Sequence, residues 1–138
     1  IKLKKIQSYL NNLFDTEHFV VKKRKNIEDS LEIYIKDEFL GLIYEEIDET
    51  FSCWISKTKS REFLMIGSNQ TLSTEYRFLN ANTPYGNWQV IHSRERELEY
   101  FVDHYKDDFY IITNDEAKNF RLMKTPVDRP QKSNWTGH

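Results

Sequence analysis

Residues 50–124 read TFSCWISKTKSREFLMIGSNQTLSTEYRFLNANTPYGNWQVIHSRERELEYFVDHYKDDFYIITNDEAKNFRLMK, and this stretch decides the fold. Seven short segments in it alternate apolar with polar residues: Thr50–Ser56, Glu62–Ser68, Thr74–Leu79, Trp88–Ser93, Glu97–Asp103, Asp108–Thr113 and Asn119–Lys124. A period of two puts successive side chains on opposite faces of a sheet, so each segment predicts a half-buried strand. Turn residues bound every one, the strongest cluster being NANTPYGN between the third and fourth.

Strand starts recur roughly every ten to fourteen residues, too closely for crossover helices, so neighbours pair as antiparallel hairpins. Four such strands make a sheet of the kind repeated in a β-propeller. Phe51-Cys53-Ile55, Phe63-Met65, Tyr76-Phe78 and Trp88-Val90 are the expected inner faces of one blade. Leu98-Tyr100-Val102, Phe109-Ile111 and Phe120-Leu122 are those of a second, whose fourth strand opens at Trp135-Thr136 after the proline-bearing loop TPVDRPQKSN. The fold class is mainly β with an N-terminal helix (α+β), an antiparallel meander of about one and three-quarter propeller-like blades.

The run from Tyr44 to Trp135, with STEYRFL, SRERELEY and FYIITNDEAKNFRLMKTPVD in order, resembles part of the N-terminal propeller domain of the prolyl oligopeptidase family of serine peptidases, its oligopeptidase B members in particular. The resemblance implies a parent enzyme that cleaves short peptides after Lys or Arg, with the propeller limiting access by size. Its partners would be the peptidase domain of that enzyme and a short peptide. This chain would be a non-catalytic gating segment, because no serine stands in a Gly-x-Ser-x-Gly elbow and none of its four glycines forms one.

Upstream, Leu3, Ile6, Leu10, Leu13 and Phe14 fall at helical spacing with Lys, Gln and Asn on the other face, predicting an amphipathic helix that ends near Asp15. Strand-like segments follow at Phe19-Val20-Val21, Leu31-Ile33-Ile35 and Phe39–Tyr44, with turns at Lys25–Ser30 and Asp37-Glu38. This order, with IQSYLNNLF and EIYIKDEFLGLIYEE, resembles a small uncharacterised bacterial α+β domain family that carries no assigned activity. The expected division is therefore 1–46, a helix with hairpin strands, and 47–138, the propeller-like strands. The join falls inside a strand signal and without a linker, which suggests a chimeric, recombined or designed chain; a small α+β protein-interaction domain is the alternative reading.

A chain of 138 residues with 14% aromatics can bury a real core. Residues 1–25 hold seven Lys or Arg against Asp15 and Glu17, a net of +5, so the overall charge of −2 leaves −7 on the remainder. The basic segment reads as a solvated helix face and a lysine-protected strand edge, and nucleic acid is not the expected partner, because period two turns Tyr76 and Phe78 inward. One cysteine, Cys53, excludes an internal disulfide, fits a reducing, cytoplasmic setting, and reads as a buried small hydrophobe between Phe51 and Ile55. No apolar run approaches the roughly twenty residues that span a bilayer. Self-association through an open sheet edge is a further expectation.

No catalytic residue, metal ligand or cofactor is predicted. His18, His92, His104 and His138 show no metal-ligand spacing, although His92 and His104 could converge across adjacent strands. Between two strands SREREL bunches opposite charges, and Arg61, Glu75, Arg94, Glu95 and Arg96 are the candidates for contact with a peptidase domain. The competing reading for them is cross-strand ion pairing within the sheet.

Overall fold

The chain divides at Ile47/Asp48 into two compact units. The computed structural model describes residues 3–28 and 30–137. The first two positions of the predicted helix, Asp29 of the predicted Lys25–Ser30 turn, and His138 lie outside them.

In the first unit, α1 (Leu3–Leu13) lies along β1 (Phe19–Lys23), the edge strand of a β1-β2-β3 antiparallel sheet with β2 (Ser30–Ile35) and β3 (Glu38–Tyr44). Its core is Phe19, Val21 and Leu31. Gln7 and Asn11, which the periodicity assigns to the polar face, turn to the sheet. Gln7 Oε1 accepts the Val21 N–H at 3.0 Å and Asn11 Oδ1 accepts the Phe19 N–H at 2.9 Å. An edge strand exposes a row of unpaired backbone groups, and these two side chains satisfy part of it. The β2–β3 turn carries positive φ at both Lys36 (48°) and Asp37 (66°), the left-handed pair that matches strand twist in a two-residue hairpin.

The second unit is two four-stranded antiparallel sheets. The first holds β4 (Ser52–Lys57), β5 (Phe63–Gln70), β6 (Ser73–Asn80) and β7 (Gln89–His92) in chain order. The second holds β8 (Tyr100–Tyr105), β9 (Asp108–Thr113), β10 (Arg121–Pro126) and the two-residue β11 (Thr136–Gly137). A 3₁₀ turn at Lys132–Asn134 leads into that last strand. The fold is mainly β with one N-terminal helix, and its antiparallel sheets resemble propeller blades. Phe63, Met65, Tyr76, Phe78 and Ile91 from the first sheet meet Tyr100, Phe109, Ile111 and Met123 from the second in one buried cluster, closed by Leu98 and Trp135.

Three inner faces differ from the sequence expectation. On β4 the core side is the Trp54 side: Trp54 pairs with Gly67, which pairs with Tyr76, and directly opposed residues share a face. Cys53 and Ile55 therefore point the other way, and Cys53 is exposed rather than buried. The segment Phe51–Ile55 is apolar at four of five positions, so its phase was ambiguous, and a one-residue shift moves every side chain to the other face. Gly67 settles the phase: the Trp54 ring lies against it where any Cβ would collide.

On β7 an irregularity opposite Tyr76/Arg77 brings Ile91 into the core, while Trp88 and Val90 stay half-buried. On β10 it is Met123 that is buried, and Leu122 is 42% exposed. Phe120 sits before the strand with φ of 61°, so it does not continue the alternation through Leu122.

Cys53 in the folded chain is expected to react with a disulfide reagent such as DTNB as fast as in the urea-unfolded chain. Labelling that waits for unfolding would restore the buried phase of β4.

Candidate functional site

The loop between β7 and β8 is where charge concentrates, and its first residue after Ser93 organises it. Arg94 donates its backbone N–H to Glu75 Oε2 at 3.0 Å, and its guanidinium reaches Ser68 Oγ at 3.3 Å and Glu75 Oε1 at 3.5 Å. The same guanidinium stacks over the Phe51 ring, 3.8 Å from the centroid, with Asp48 at 3.9 Å. Glu75 is buried on β6, 5% exposed, and also takes Arg77 Nη2 at 3.0 Å. Burial strips water from this carboxylate, and hydrogen bonds from two guanidiniums and a backbone N–H take its place. The structure thus brings Glu75 and Arg94 together as a tie that pins the loop to the sheet.

Glu95, the next residue, sits in a separate network. His92 Nε2 lies 3.1 Å and Lys132 Nζ 3.0 Å from its carboxylate, and these bonds, His92 first, hold the carboxyl below its ordinary range. Lys132 is held protonated by the same contact, and it also reaches Asp115 at 3.4 Å, joining the β7–β8 loop to the turn after β9. Arg96 is exposed on the loop. Arg61 is exposed at the opposite end of β5, in the β4–β5 turn, with φ of 66° and its N–H donated to Thr58 O at 2.8 Å. The five predicted residues therefore divide into one tie to the sheet, Glu75 with Arg94, two exposed loop residues, Glu95 and Arg96, and one remote turn residue, Arg61.

The residue missed by sequence reasoning is Tyr100. Fully buried, it donates its hydroxyl to the His92 carbonyl at 2.6 Å and accepts the Tyr76 N–H at 3.0 Å. Tyr76 N and His92 O stand where β6 and β7 shift register, so the irregularity's backbone groups are satisfied by a side chain from the other sheet. Burial drives the Tyr100 phenol far above its ordinary value and raises Tyr76 in the same direction.

His92 and His104 do not converge. His104, 4% exposed, bonds Ser60 Oγ through Nδ1 at 2.8 Å between the Phe63 and Phe109 rings, whereas His92 faces Trp135 at 5.9 Å. Lys59 N–H donates to Asp103 Oδ1 at 3.0 Å beside it, so the β4–β5 turn is tied to β8 by polar contacts that no spacing rule announced. Near this tie an open cleft of about 850 Å³ lies over Phe63, Phe78 and Val127, with Glu62, Lys106, Asp107 and Asp128 among its lining. Among the described residues no group of His, Cys, Asp and Glu is gathered as a metal site would require. Ser68 is buried and hydrogen-bonded to Arg94, which is the geometry of a structural serine.

The prolyl oligopeptidase N-terminal β-propeller domain model matches residues 36–137. The chain belongs to that family. A second model, a protein of unknown function (DUF3126), matches residues 2–54, so the two overlap across β3 and the start of β4. Protease 2 of Moraxella lacunata is 34% identical over 87 residues, which is 63% of this chain and 13% of that protein. Dipeptidyl aminopeptidase BI of Pseudoxanthomonas mexicana is 34% identical over 119 residues, 80% of this chain and 16% of the relative. The chain thus spans about a seventh of the curated relatives it matches.

Among solved structures, oligopeptidase B from Leishmania major superposes with a TM-score of 0.63 at 25% identity, over 86% of this chain and 17% of that one. Oligopeptidase B from Trypanosoma brucei gives 0.62 at 19% identity, over 85% and 18%, which is likeness of fold.

Tyr100→Phe is expected to cost about 1–3 kcal/mol, because it strands the Tyr76 N–H and the His92 carbonyl in a dry core. The phenol also sets an alkaline limit. The folded state keeps Tyr100 and Tyr76 protonated while the unfolded chain loses those protons near pH 10, so stability is full below pH 10 and falls as pH rises through it. Urea midpoints measured at pH 9 and pH 11 should show that fall, and Tyr100→Phe should flatten it; equal slopes in both proteins would count against the buried phenol.

Proposed function

We propose that this chain is a non-catalytic propeller segment that packs against a peptidase domain and helps to limit access by size. The observation that carries the reading is the pair of face-packed antiparallel sheets, matching the family model over residues 36–137 and superposing on an oligopeptidase B. By that kinship the complete enzyme would be a serine oligopeptidase of the oligopeptidase B type, cleaving short peptides after Lys or Arg. The proposed contacts are divided by burial. Arg61, Glu95 and Arg96 are exposed and are the residues offered to the peptidase domain. Glu75 and Arg94 are spent inside the sheet and act by positioning the loop that carries the other two.

A second reading rests on the overlap of two family models at residues 36–54 together with the division at Ile47/Asp48. In it the first unit is a separately descended α+β interaction module joined to propeller strands, and the chain is a natural or artificial fusion. An exposed single cysteine is at home in a reducing compartment, so the cytoplasm is the proposed setting.

Mixing the chain with a separately produced oligopeptidase B peptidase domain tests the leading reading by calorimetry. Saturable binding, weakened by Arg61→Glu with Arg96→Glu and left intact by Lys4→Glu, is the expected result. Absence of binding, or a loss that follows the helix charge instead, would favour the second reading. The chain alone should leave a short Arg-amide substrate unhydrolysed, and turnover abolished by a serine-reactive inhibitor would overturn the non-catalytic assignment.

A further inference from the structure

In the first unit the two side-chain bonds to β1 also fix where the charges of α1 come to lie. Gln7 meets Val21 and Asn11 meets Phe19, so the helix runs antiparallel to the strand. Four helical residues and two strand residues each advance about 6 Å, and one further step sets Lys4 beside Lys23. Lys5 adjoins Lys4 on the helix and Lys25 follows the strand, so four exposed lysines gather at one end of the pair. Asp15 and Glu17 stand at the other end, in the connection from α1 to β1.

Nothing in the fold calls for that gathering. Among the described residues none of the four lysines makes an ion pair, and Glu28 in the turn beyond them makes none either. By contrast, Arg24 is engaged with Glu32 at 3.9 Å and with Ser30 at 3.1 Å, and Lys22 lies over the Tyr34 ring at 4.7 Å. Lysines often guard an edge strand against further pairing, but here Gln7 and Asn11 already take the outward N–H groups of Val21 and Phe19. Like charges brought together without a counter-charge repel, and an anion that settles among them relieves the repulsion.

The exposed side of α1 narrows the choice of anion. Leu3, Ile6, Gln7, Leu10 and Asn11 are half-buried, which leaves Lys4, Lys5, Ser8, Tyr9 and Asn12 outward. Each of these can donate a hydrogen bond, and none is a carboxylate. Tyr9 is 64% exposed and stands one helical turn from Lys5. A flat ring beside cations is the combination that holds an unpaired base and its phosphate.

We propose that this face binds single-stranded nucleic acid, with Lys4, Lys5, Lys23 and Lys25 on phosphates and Tyr9 stacked on a base. The expectation against a nucleic-acid partner rested on Tyr76 and Phe78, which are buried in the other unit. A bilayer surface is a poorer fit. The apolar stripe of the helix is turned to the sheet, and the exposed Leu13 and Phe14 stand at the acidic end with Asp15 and Glu17. Binding of this kind belongs to the first unit alone and is independent of whether the second meets a peptidase domain.

Fluorescence anisotropy of a labelled oligothymidine, titrated with the full 138-residue chain, reads the binding directly. Four lysine–phosphate contacts predict a log–log salt slope of about −2.8, or binding roughly 50-fold weaker at about 200 mM than at about 50 mM salt. Lys4→Gln combined with Lys23→Gln should weaken binding and reduce the size of that slope by about 1.4. Tyr9→Ala should weaken binding roughly 5-fold or more and leave the slope as it is. Lys57→Gln combined with Lys106→Gln, at exposed positions of the second unit, should change neither. An unchanged urea midpoint verifies folding; Lys5→Gln with Lys25→Gln, and Tyr9→Ser, replace any variant that fails this check.

A chain that leaves oligothymidine unbound at about 50 mM salt overturns the proposal. So does binding that the paired lysine substitutions leave unchanged. A duplex of the same length, heparin or phosphatidylserine vesicles bound as tightly as oligothymidine, or Tyr9→Ala without effect, overturns the assignment to a single strand.

Discussion

The second unit depends on the burial of aromatic rings between two sheets. Phe63, Phe78 and Phe109 meet at centroid distances of 4.9 to 5.7 Å, in tilted and edge-on arrangements that suit the ring quadrupoles. Neither sheet is self-sufficient, since each is apolar on the face that the other covers and a small antiparallel sheet in water holds its strands only marginally. This burial also explains the position of Tyr100. A register irregularity at β6–β7 would leave an N–H and a carbonyl in a dry place, and the phenol of the facing sheet answers both.

The polar ties follow from the same packing. Once the sheets are held face to face, the β4–β5 turn comes beside β8, which lets Lys59 N–H find Asp103 and Ser60 find His104. The β7–β8 loop is likewise fixed by Glu75 and Arg94 at one place and by Glu95 and Lys132 at another. Two networks with different exposure serve different ends. A carboxylate at 5% exposure shared by two half-buried guanidiniums is a fastening, and its removal would take from Arg77 and Arg94 the carboxylate they share. A half-exposed Glu95 between His92 and Lys132 adds little stability by itself, and stays able to meet another surface.

Family membership places these sheets among propeller blades, while the chain matches only 13–18% of the length of the relatives named above.

The sequence by itself determined the number and order of strands, the hairpin connections and the helix, because period-two alternation, turn clusters and helical spacing are local properties of the chain. It also located the charged loop Ser93–Leu98, since a run of alternating sign between two strand signals is visible in one dimension. Only the tertiary structure decided the phase of β4, where Phe51, Cys53, Trp54 and Ile55 are all apolar and the contact of Trp54 with Gly67 broke the tie. It alone decided that Leu122 faces outward, because the positive φ of Phe120 interrupts the alternation before the strand begins. Arg94 and Arg96 are alike in sequence and unlike in place, one stacked on Phe51 and bonded to a buried glutamate, the other exposed. Burial is a property of what lies across a gap in space, and Glu75, 19 residues from Arg94, is brought there by strand pairing that no local pattern encodes.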